Sequence, residues 1–522
     1  MTHGDRDEHH SRTGTGDIPR RRSRRARRLR ETPKACVSPY IVRRIPRFEL
    51  LSGEVLERIE TQADWLLAEI GIRIEGDPHA RTLFGEAGAS VDGNRVRFDR
   101  GLARSLCATA PSTFTMHARN PSRSVVFGGD NVVMAPADGA PFVTDMKQGR
   151  RYGTIKDHQD LTKLLQQAPA LHHNPALICE PADVPVNKRH LDIVCSQLRY
   201  SDKPIMGAVS TPERGEDTLE LARIVFGDGF LDDHAVVLAG TAVQSPLTFN
   251  AETTGAIRTY ATANQANMIT PFIIAGAMSP TTMAGTLAQA HAEAMAGIAL
   301  SQLVRKGSPA LYSVFVTTMD LKSGAPTYGT PESSLANFAI VQLGRRLGLP
   351  VRCGGHLTGS KLLDAQAMEE SVASMSPPVM AGAHFIHQSA GWLEGGLTMG
   401  FEKFIADAEK CACIARLLQG LNVDDNTLAG DAFLELGDES NFLGCGHTLR
   451  NAATANIRTE LPDSDSFEAW TDRGGKDTRE RAHTLWTRVL EDYEKPPINS
   501  AVDEELTAYC ARRKASMDDA WY

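Results

Sequence analysis

The sequence lacks most of the short patterns that announce a particular chemistry. It contains no CxxC pair, HExxH, P-loop or GxSxG, and no GxGxxG follows an early strand. Zinc-protease, phosphate-loop, serine-hydrolase and dinucleotide-binding interpretations therefore have no local support. No apolar run approaches the ~20 residues of a membrane span, and the polar, basic N-terminus has no signal-peptide pattern. These absences predict a cytoplasmic protein with no membrane partner and no metal bound by the chain itself.

Aromatic residues and paired cysteines are also scarce. Rings make up 6% of the chain, so the position of each one matters. The nine cysteines are odd in number and scattered, and only Cys411 and Cys413 are close together. That spacing predicts reduced thiols buried as small core residues. The formal net charge of -8 excludes a globally basic polyanion binder.

Residues 1–38 are predicted to form a disordered basic tail. Residues 20–30 hold a dense arginine block with almost no apolar partner, and such a block buries too little surface to fold alone. A twin-arginine export signal is disfavoured because no apolar segment follows. A solvated tail, or one packed on its own or a neighbouring subunit, is favoured over an arm for nucleic acid or an acidic partner.

The pattern changes after Ser52. Apolar residues recur at helical spacing from Leu56 to Ile70, and Gly71 is a suitable helix end. Short strand-like segments follow, and residues 157–167 again have helical spacing. Residues 39–168 are therefore predicted to be a small α+β extension.

The next part of the chain alternates apolar segments with helical ones. Strands are predicted at 173–179, 204–209, 235–243, 269–276, 309–316, 350–355, 383–387 and 432–436. Helices are predicted at 187–198, 217–225, 251–264, 283–303, 333–347, 361–375 and 402–418. This alternation predicts a parallel α/β fold. Eight strands favour a (β/α)8 TIM-type barrel over residues 169–450, with a doubly wound open sheet as the alternative. A helical tail is predicted for 451–522.

One predicted strand end carries a histidine after two glycines. His356 follows Gly354 and Gly355, and glycines allow a backbone to approach a ligand closely. Catalytic groups of barrels come from the C-terminal ends of strands. His356 is therefore predicted to be catalytic, as a general base, a carboxylate partner or a contact for a metal-bound group. A hydrogen-bonded structural histidine is the alternative.

The few aromatic residues near strand ends suggest a cage for a cation. A quaternary ammonium has no proton to donate, so it is held by ring faces, at ~0.5–2 kcal/mol each, and by a carboxylate. The predicted substrate-binding residues are Tyr312, Phe315, Asp320, Tyr328, Glu332, Lys361, Gln388 and Trp392. Strand alternation puts Tyr312 and Phe315 on opposite faces. Plain packing of the rings, helix capping by Glu332 and a solvated Lys361 are the alternatives.

Several short segments, in order, resemble the trimethylamine methyltransferase family over about residues 40–500. They are ARNP at 118–121, DVP at 183–185, SDKP at 201–204, GTLA at 285–288, MDLKSG at 319–324, GTPE at 329–332, KLLDAQA at 361–367, FL at 442–443 and HT at 447–448. The founding members carry pyrrolysine, and its position falls at His356 here. The chain therefore resembles the non-pyrrolysine relatives, some of which are similar to glycine betaine methyltransferases.

The resemblance implies a (β/α)8 barrel and methyl transfer to a Co(I) corrinoid (cobalamin) carried by a small partner protein. Histidine cannot form the amine adduct proposed for pyrrolysine, whereas a quaternary amine needs no such activation. A betaine-like substrate is therefore expected, its carboxylate received by His356, Lys361 or Gln388. Gly207, Gln244 and Gly355 are expected to face the corrinoid. A catalytically idle barrel that senses a betaine is the alternative, and exposed apolar helix faces suggest a homo-oligomer.

Overall fold

The computed structural model describes residues 38–437 and 441–521. The described chain divides into two compact units, one of residues 38–421 with 459–521 and one within 422–458. The basic tail predicted for residues 1–38 lies outside the described residues, apart from Ser38.

Most strands of the larger unit are short. They are β1 (Ile41–Val42), β2 (Ile72–Ile74), β3 (Ser90–Asp92), β4 (Arg95–Arg97), β5 (Phe114–Met116), β6 (Val125–Phe127), β7 (Asn131–Met134), β8 (Phe142–Asp145), β9 (Gly149–Tyr152), β10 (Ile205–Gly207), β11 (Val237–Val243), β12 (Thr248–Phe249), β13 (Ala266–Ile274), β14 (Ala310–Ser313), β15 (Phe315–Met319), β16 (Pro326–Thr327), β17 (Val351–Gly354), β18 (Phe385–His387), β19 (Trp392–Leu393) and β20 (Thr398–Gly400).

Helices separate these strands along the chain. In the larger unit they are α1 (Gly53–Trp65), α2 (Pro78–Glu86), α3 (Leu102–Cys107), α4 (Ile155–Gln167), α5 (Arg189–Tyr200), α6 (Pro212–Phe226), α7 (Asp228–Asp233), α8 (Ala251–Thr262), α9 (Met283–Val304), α10 (Pro331–Arg346), α11 (Ala365–Ala381) and α12 (Phe401–Leu418). The smaller unit holds α13 (Asp425–Leu428), α14 (Gly430–Leu436) and α15 (Gly446–Asn451). The larger unit resumes with α16 (Phe467–Asp472), α17 (Thr478–Glu491) and α18 (Ser500–Ala515).

The main sheet runs in the order β1-β7-β18-β17-β14-β13-β11-β10, and β15 continues beside β13. Every neighbouring pair from β7 to β10 is parallel, and only β1 is antiparallel to its neighbour in this row. Parallel neighbours need crossover connections, which helices α6 to α11 supply. The predicted mixed α/β fold with alternating strands and helices is thus confirmed.

The strand predicted at 173–179 is not a regular strand. His172 N–H donates to Met134 O (2.7 Å) and Asn174 N–H donates to Pro204 O (3.0 Å), so this segment bonds to the chain at both ends of the parallel row. The His172 ring also accepts from Met134 N–H. Pro175 follows at once and has no N–H for a ladder, which explains why the pairing stops here.

The strand predicted at 432–436 is wrong, because these residues belong to helix α14 in the smaller unit. The sequence Gly-Asp-Ala-Phe-Leu-Glu-Leu has no β-branched residue, and Ala, Leu and Glu are strong helix formers. Conversely, β7 lies in the predicted N-terminal extension but pairs with β18 in the parallel row. Val132 and Val133 suit that buried position.

The helices predicted around the parallel strands are confirmed, although the helix predicted at 217–225 begins at Pro212 and the one predicted at 361–375 ends at Ala381. Helix α9 is buried along most of its length, and its small residues allow close packing: a side chain at Gly297 would come within 2.5 Å of Ile269. Among the helices that the structure describes, none is long and apolar enough to cross a membrane.

Candidate active site

A cavity of about 280 Å³ opens among the strands of the parallel row. Gly240 and Ala242 of β11 line it, as do alternate residues of β13, residues from β10, β15, β17 and β18, and the chain after β18 and β7. The full lining is Asp138, Met206, Gly240, Ala242, Met268, Thr270, Phe272, Phe315, Arg352, His387, Gln388 and Trp392. Side chains two apart on a strand share a face, so the period-2 pattern brings these residues to one space.

Arg352 is the principal cation of this cavity. Its side chain is buried on β17, with 2% of the residue exposed. The Nη2 group donates to Gln388 Oε1 (2.6 Å) and lies 3.3 Å from His387 Nδ1. Its Nε and Nη1 groups have no hydrogen-bond partner within the described residues. Burial lowers the pKa of Arg352, and the nearby Asp138 opposes that shift. A buried guanidinium with free donors is a receptor for a carboxylate.

Asp138 and His387 supply the other titratable groups at the same place. Burial raises the pKa of Asp138 to about 6, although a quarter of the side chain remains accessible and Arg352 acts in the opposite direction. Asp138 Oδ2 lies 3.6 Å from His387 Nε2. Burial, with Arg352 beside it, holds the pKa of His387 well below its usual value. His387 is therefore a neutral imidazole at pH 7, and Arg352 is the nearest fixed cation.

Aromatic rings form one wall of the cavity. The Phe272 and Phe315 rings stack with their centroids 5.1 Å apart. The Phe315 and Trp392 rings also stack, with their centroids 6.2 Å apart. The Tyr328 ring meets Trp392 edge-on at 5.8 Å. The Arg352 guanidinium lies 5.7 Å from the Phe315 centroid. The cavity thus holds a cation and a carboxylate beside a surface of ring faces.

His356 lies outside the cavity lining, buried behind the turn that follows β18. Its Nδ1 is 2.7 Å from Ser389 O and 3.8 Å from Asp407 Oδ1, and its backbone N–H donates to Gln388 O (2.9 Å). Asp407 accepts in turn from Lys403 Nζ (2.6 Å). Burial lowers the pKa of His356. The histidine therefore contacts the backbone of Gln388, a residue whose left-handed φ of 55° needs such support.

The structure brings three of the predicted site residues together in the cavity: Phe315, Gln388 and Trp392. Tyr328 backs onto Trp392, with its hydroxyl donating to Gly395 O (3.2 Å). Tyr312 faces the other side of its strand, where its hydroxyl is 3.0 Å from His291 Nδ1. The prediction that Tyr312 and Phe315 face opposite sides is confirmed.

The other predicted residues lie apart from the cavity. Asp320 accepts from Ser323 Oγ in a turn (2.7 Å), Glu332 is exposed in the first turn of α10, and Lys361 Nζ donates to Gly359 O (2.9 Å). These contacts fit the capping and solvated-face alternatives. Their predicted roles, and that of His356, stay predictions.

The three residues predicted to face a corrinoid lie at different strand ends. A side chain at Gly207 would point at the Tyr260 hydroxyl, 2.4 Å away, because alternation turns the neighbouring Met206 to the cavity. Gln244 is exposed and donates to Thr253 Oγ1 (3.1 Å). A side chain at Gly355 would lie 2.9 Å from Gln388 O.

Sequence reasoning missed Arg352, Asp138, Phe272 and His387. The signal for Arg352 was present: one charged residue stands inside the apolar strand Val351–Gly354, and a lone charge in a central strand is rarely buried without purpose. Asp138 had no such signal, because it lies in a segment predicted to be outside the barrel.

The chain belongs to the trimethylamine methyltransferase (MTTB) family, whose model matches residues 19–518. It is therefore a methyltransferase, as the short segments predicted. It is 34% identical over 470 residues to the glycine betaine methyltransferase of Desulfitobacterium hafniense strain Y51, which covers 90% of this chain and 98% of the relative.

Two further relatives extend the comparison. The chain is 28% identical over 473 residues to trimethylamine methyltransferase MttB of D. hafniense strain DSM 10664 / DCB-2, covering 89% of this chain and 94% of the relative. The crystal structure of the Methanosarcina barkeri monomethylamine methyltransferase MtmB aligns with 85% of this chain and 94% of its own, at 12% identity and a TM-score of 0.44.

Proposed function

We propose that this methyltransferase takes a methyl group from a quaternary ammonium carboxylate, a betaine, and passes it to the cobalt of a corrinoid carried by a separate small protein. The observation that carries the proposal is Arg352, buried in the cavity wall beside a row of stacked rings, whose Nε and Nη1 have no partner among the described residues. A betaine has a carboxylate for the guanidinium and a methylated cation for the rings.

The same cavity disfavours trimethylamine as the substrate. Trimethylamine has no carboxylate, so it would leave the Arg352 Nε and Nη1 groups without a hydrogen-bond partner among the described residues. A buried donor without a partner costs ~1–3 kcal/mol, and more when it is charged. Asp138 favours a cation nearby whenever it is ionised. A zwitterionic substrate interacts with both Arg352 and Asp138, whereas a simple amine interacts only with Asp138.

The protein itself needs only to bind and orient the substrate for the methyl transfer. In the proposed transfer the carbon–nitrogen bond would break, the electron pair would stay on nitrogen, and the methyl group would go to the nucleophile that a bound corrinoid would supply. The product would be a tertiary amine with an uncharged nitrogen. Arg352 and the rings hold the substrate so that one N-methyl group points along the line of attack. No proton moves in this step, and the neutral His387 beside Arg352 neither gains nor loses one.

The geometry of the sheet supports a closed (β/α)8 barrel around this site. Segment His172–Asn174 bonds to Met134 of β7 and to Pro204 before β10, so it stands where an eighth strand would join the two ends of the row. In a closed barrel the cavity is the lumen at the carboxyl ends of the strands, where barrel enzymes bind substrates. The domain boundaries, the homo-oligomer and the cytoplasmic location stay predictions.

A spectroscopic assay with chemically reduced Co(I) cobalamin tests the proposed reaction. Glycine betaine, carnitine, proline betaine, choline and trimethylamine are offered separately, and conversion to methylcobalamin is followed by its absorbance. We expect turnover with a carboxylate-bearing quaternary amine and none with trimethylamine.

Two other results would favour a different function or a different substrate. Tight binding of a betaine by calorimetry without turnover, with cobalamin or with a candidate corrinoid protein, would favour the sensor. Turnover with trimethylamine alone would contradict the proposed substrate class and the role of Arg352.

A further inference from the structure

Two cysteine thiols, far apart in the sequence, meet in the interface between α5 and α18. Cys195 Sγ and Cys510 Sγ are 2.7 Å apart. That is closer than two unbonded sulfur atoms ordinarily settle, and only somewhat longer than the ~2.05 Å of a disulfide. Both residues are buried, at 5% and 9% exposure, and both belong to the larger unit.

Three other buried thiols contact oxygen atoms rather than another sulfur. Cys107 donates to Met295 O, Cys353 to Asn337 Oδ1 and Cys411 to Ser389 O, so each has an oxygen partner. Among the cysteines that the structure describes, Cys195 and Cys510 are the pair whose sulfur atoms contact each other.

Charged contacts hold the two helices in register on either side of the thiols. Arg199 Nε donates to Asp503 Oδ1 (2.5 Å) one turn away, and Lys514 pairs with Asp192 on the other side. Asp217 of α6 accepts from Tyr509 and Arg513 of α18, both at 2.7 Å. These contacts keep the two sulfur atoms close to each other.

We propose that Cys195 and Cys510 are an oxidisable dithiol that closes to a disulfide and fastens the C-terminal helix α18 to α5. The oxidant is a peroxide. One thiol loses its proton and attacks the peroxide, the O–O bond breaks, the leaving hydroxide takes up that proton to form water, and a sulfenic acid remains. The second thiol attacks that sulfur, the S–S bond forms, and a second water leaves. Two thiols lose two electrons and the peroxide gains them.

The contact between the thiols favours Cys510 as the first to react. The two thiols share a hydrogen bond in which either sulfur atom can donate, and with Cys195 as the donor the pKa of Cys510 is lowered. Cys510 is also the more exposed of the two. Thiolate character and access both select it for the first step.

Peptide mapping of the full-length protein tests the inference. The reduced protein is exposed to limiting hydrogen peroxide, denatured with an alkylating agent, digested without reductant and analysed by mass spectrometry. We expect a linked peptide pair containing Cys195 and Cys510, lighter than the two thiol peptides by two hydrogen atoms and separated by dithiothreitol. A thermal unfolding midpoint raised by several degrees, and restored on reduction, should accompany it.

Matched variants keep the result interpretable. C510S should abolish both the linked peptides and the thermal shift, whereas C413S, which removes a half-buried thiol outside the pair, should leave both unchanged. Oxidation of Cys413 in wild-type protein, with Cys195 and Cys510 both alkylated as free thiols, would overturn the inference. So would sulfinic acid at Cys510 without a linked pair. Neither result bears on the proposed substrate.

Discussion

Arg352 is the residue on which the choice of substrate depends. It is the buried cation of the cavity, and two of its nitrogen atoms have no partner among the described residues. A guanidinium whose donors lack partners binds an anion that comes within hydrogen-bond distance. The volume of the cavity admits only a small anion. The consequence is selectivity for substrates that carry a carboxylate close to the ammonium group.

Replacing Arg352 by methionine removes this charge and keeps a long side chain. We expect glycine betaine to bind ~10- to 100-fold more weakly, because a hydrogen bond to a charged group contributes ~1.5–3 kcal/mol. Choline, which has no carboxylate, should change little. Calorimetric titration measures both. R345M removes a part-exposed arginine paired with Glu49 and is the control. Equal losses for glycine betaine and choline would refute the assigned role.

The pH dependence of binding should follow Asp138. Burial raises its pKa to about 6, so the carboxyl is largely neutral at pH 5 and ionised at pH 7. Only the ionised form attracts a quaternary ammonium, so affinity should rise several-fold as the pH increases through 6. The facing groups are Arg352, His387 and Gln388, and the lowered pKa of His387 keeps that ring from titrating in this window. In D138N the dependence should be flat; an unchanged profile in that variant would exclude Asp138 as its origin.

At the scale of elements, one lysine holds the segment that joins the ends of the parallel row. Lys203 is 2% exposed, and its Nζ donates to Leu165 O (2.6 Å), Ala168 O (2.8 Å) and Leu171 O (2.6 Å). These carbonyl groups belong to the end of α4 and to the residues that connect it to His172–Asn174. The ammonium therefore satisfies the C-terminal carbonyls of the helix and sets the path of the chain that follows.

Replacing Lys203 by methionine should destabilise the protein by ~3–5 kcal/mol, because three buried carbonyls lose their donor at once. Chemical denaturation followed by circular dichroism measures the loss. K163M removes a lysine whose partner, Asp160, lies on the same helix, and it should cost no more than ~1 kcal/mol. A K203M protein as stable as K163M would mean that the segment is held by other contacts.

Gly207 offers a second test at this scale. A Cβ there would lie 2.4 Å from the Tyr260 hydroxyl and 2.7 Å from Val237 Cγ1, so G207A should lose ~1–3 kcal/mol of stability. Gly53→Ala is the control, because a Cβ there meets nothing within 4 Å. Thermal unfolding compares the two variants. An intact G207A with impaired methyl transfer to cobalamin would instead support the predicted corrinoid-facing role.

The sequence predicted regular elements well and irregular ones poorly. Helices and strands with sustained periodicity, such as α9 and β11, appear where expected. Segment 173–179 is apolar enough for a strand, but Pro175 and the side-chain bonds of His172 interrupt the pairing. The short run at 432–436 contains no periodicity long enough to separate a helix from a strand.

At the scale of the whole molecule, the site exists only because the fold gathers distant residues. Asp138 follows β7, Phe272 lies on β13, and Arg352 lies on β17. Gln388 could be predicted because it follows the end of β18, and Phe315 and Trp392 because they are scarce aromatic residues on or just past predicted strands. Asp138 could not, because nothing local indicates that β7 joins the parallel row. A single sequence predicts where strands end more readily than which strands lie side by side in the sheet.

A crystal structure of the protein with glycine betaine tests this placement most directly. We expect the carboxylate within hydrogen-bond distance of Arg352 Nε or Nη1, and the trimethylammonium group against Phe272, Phe315 and Trp392, with a methyl group toward the open end of the cavity. The R352M protein crystallised in the same way should show the cavity without the ligand. Glycine betaine bound at His356 or Lys361, with no ligand at Arg352 Nε or Nη1, would contradict the proposed site.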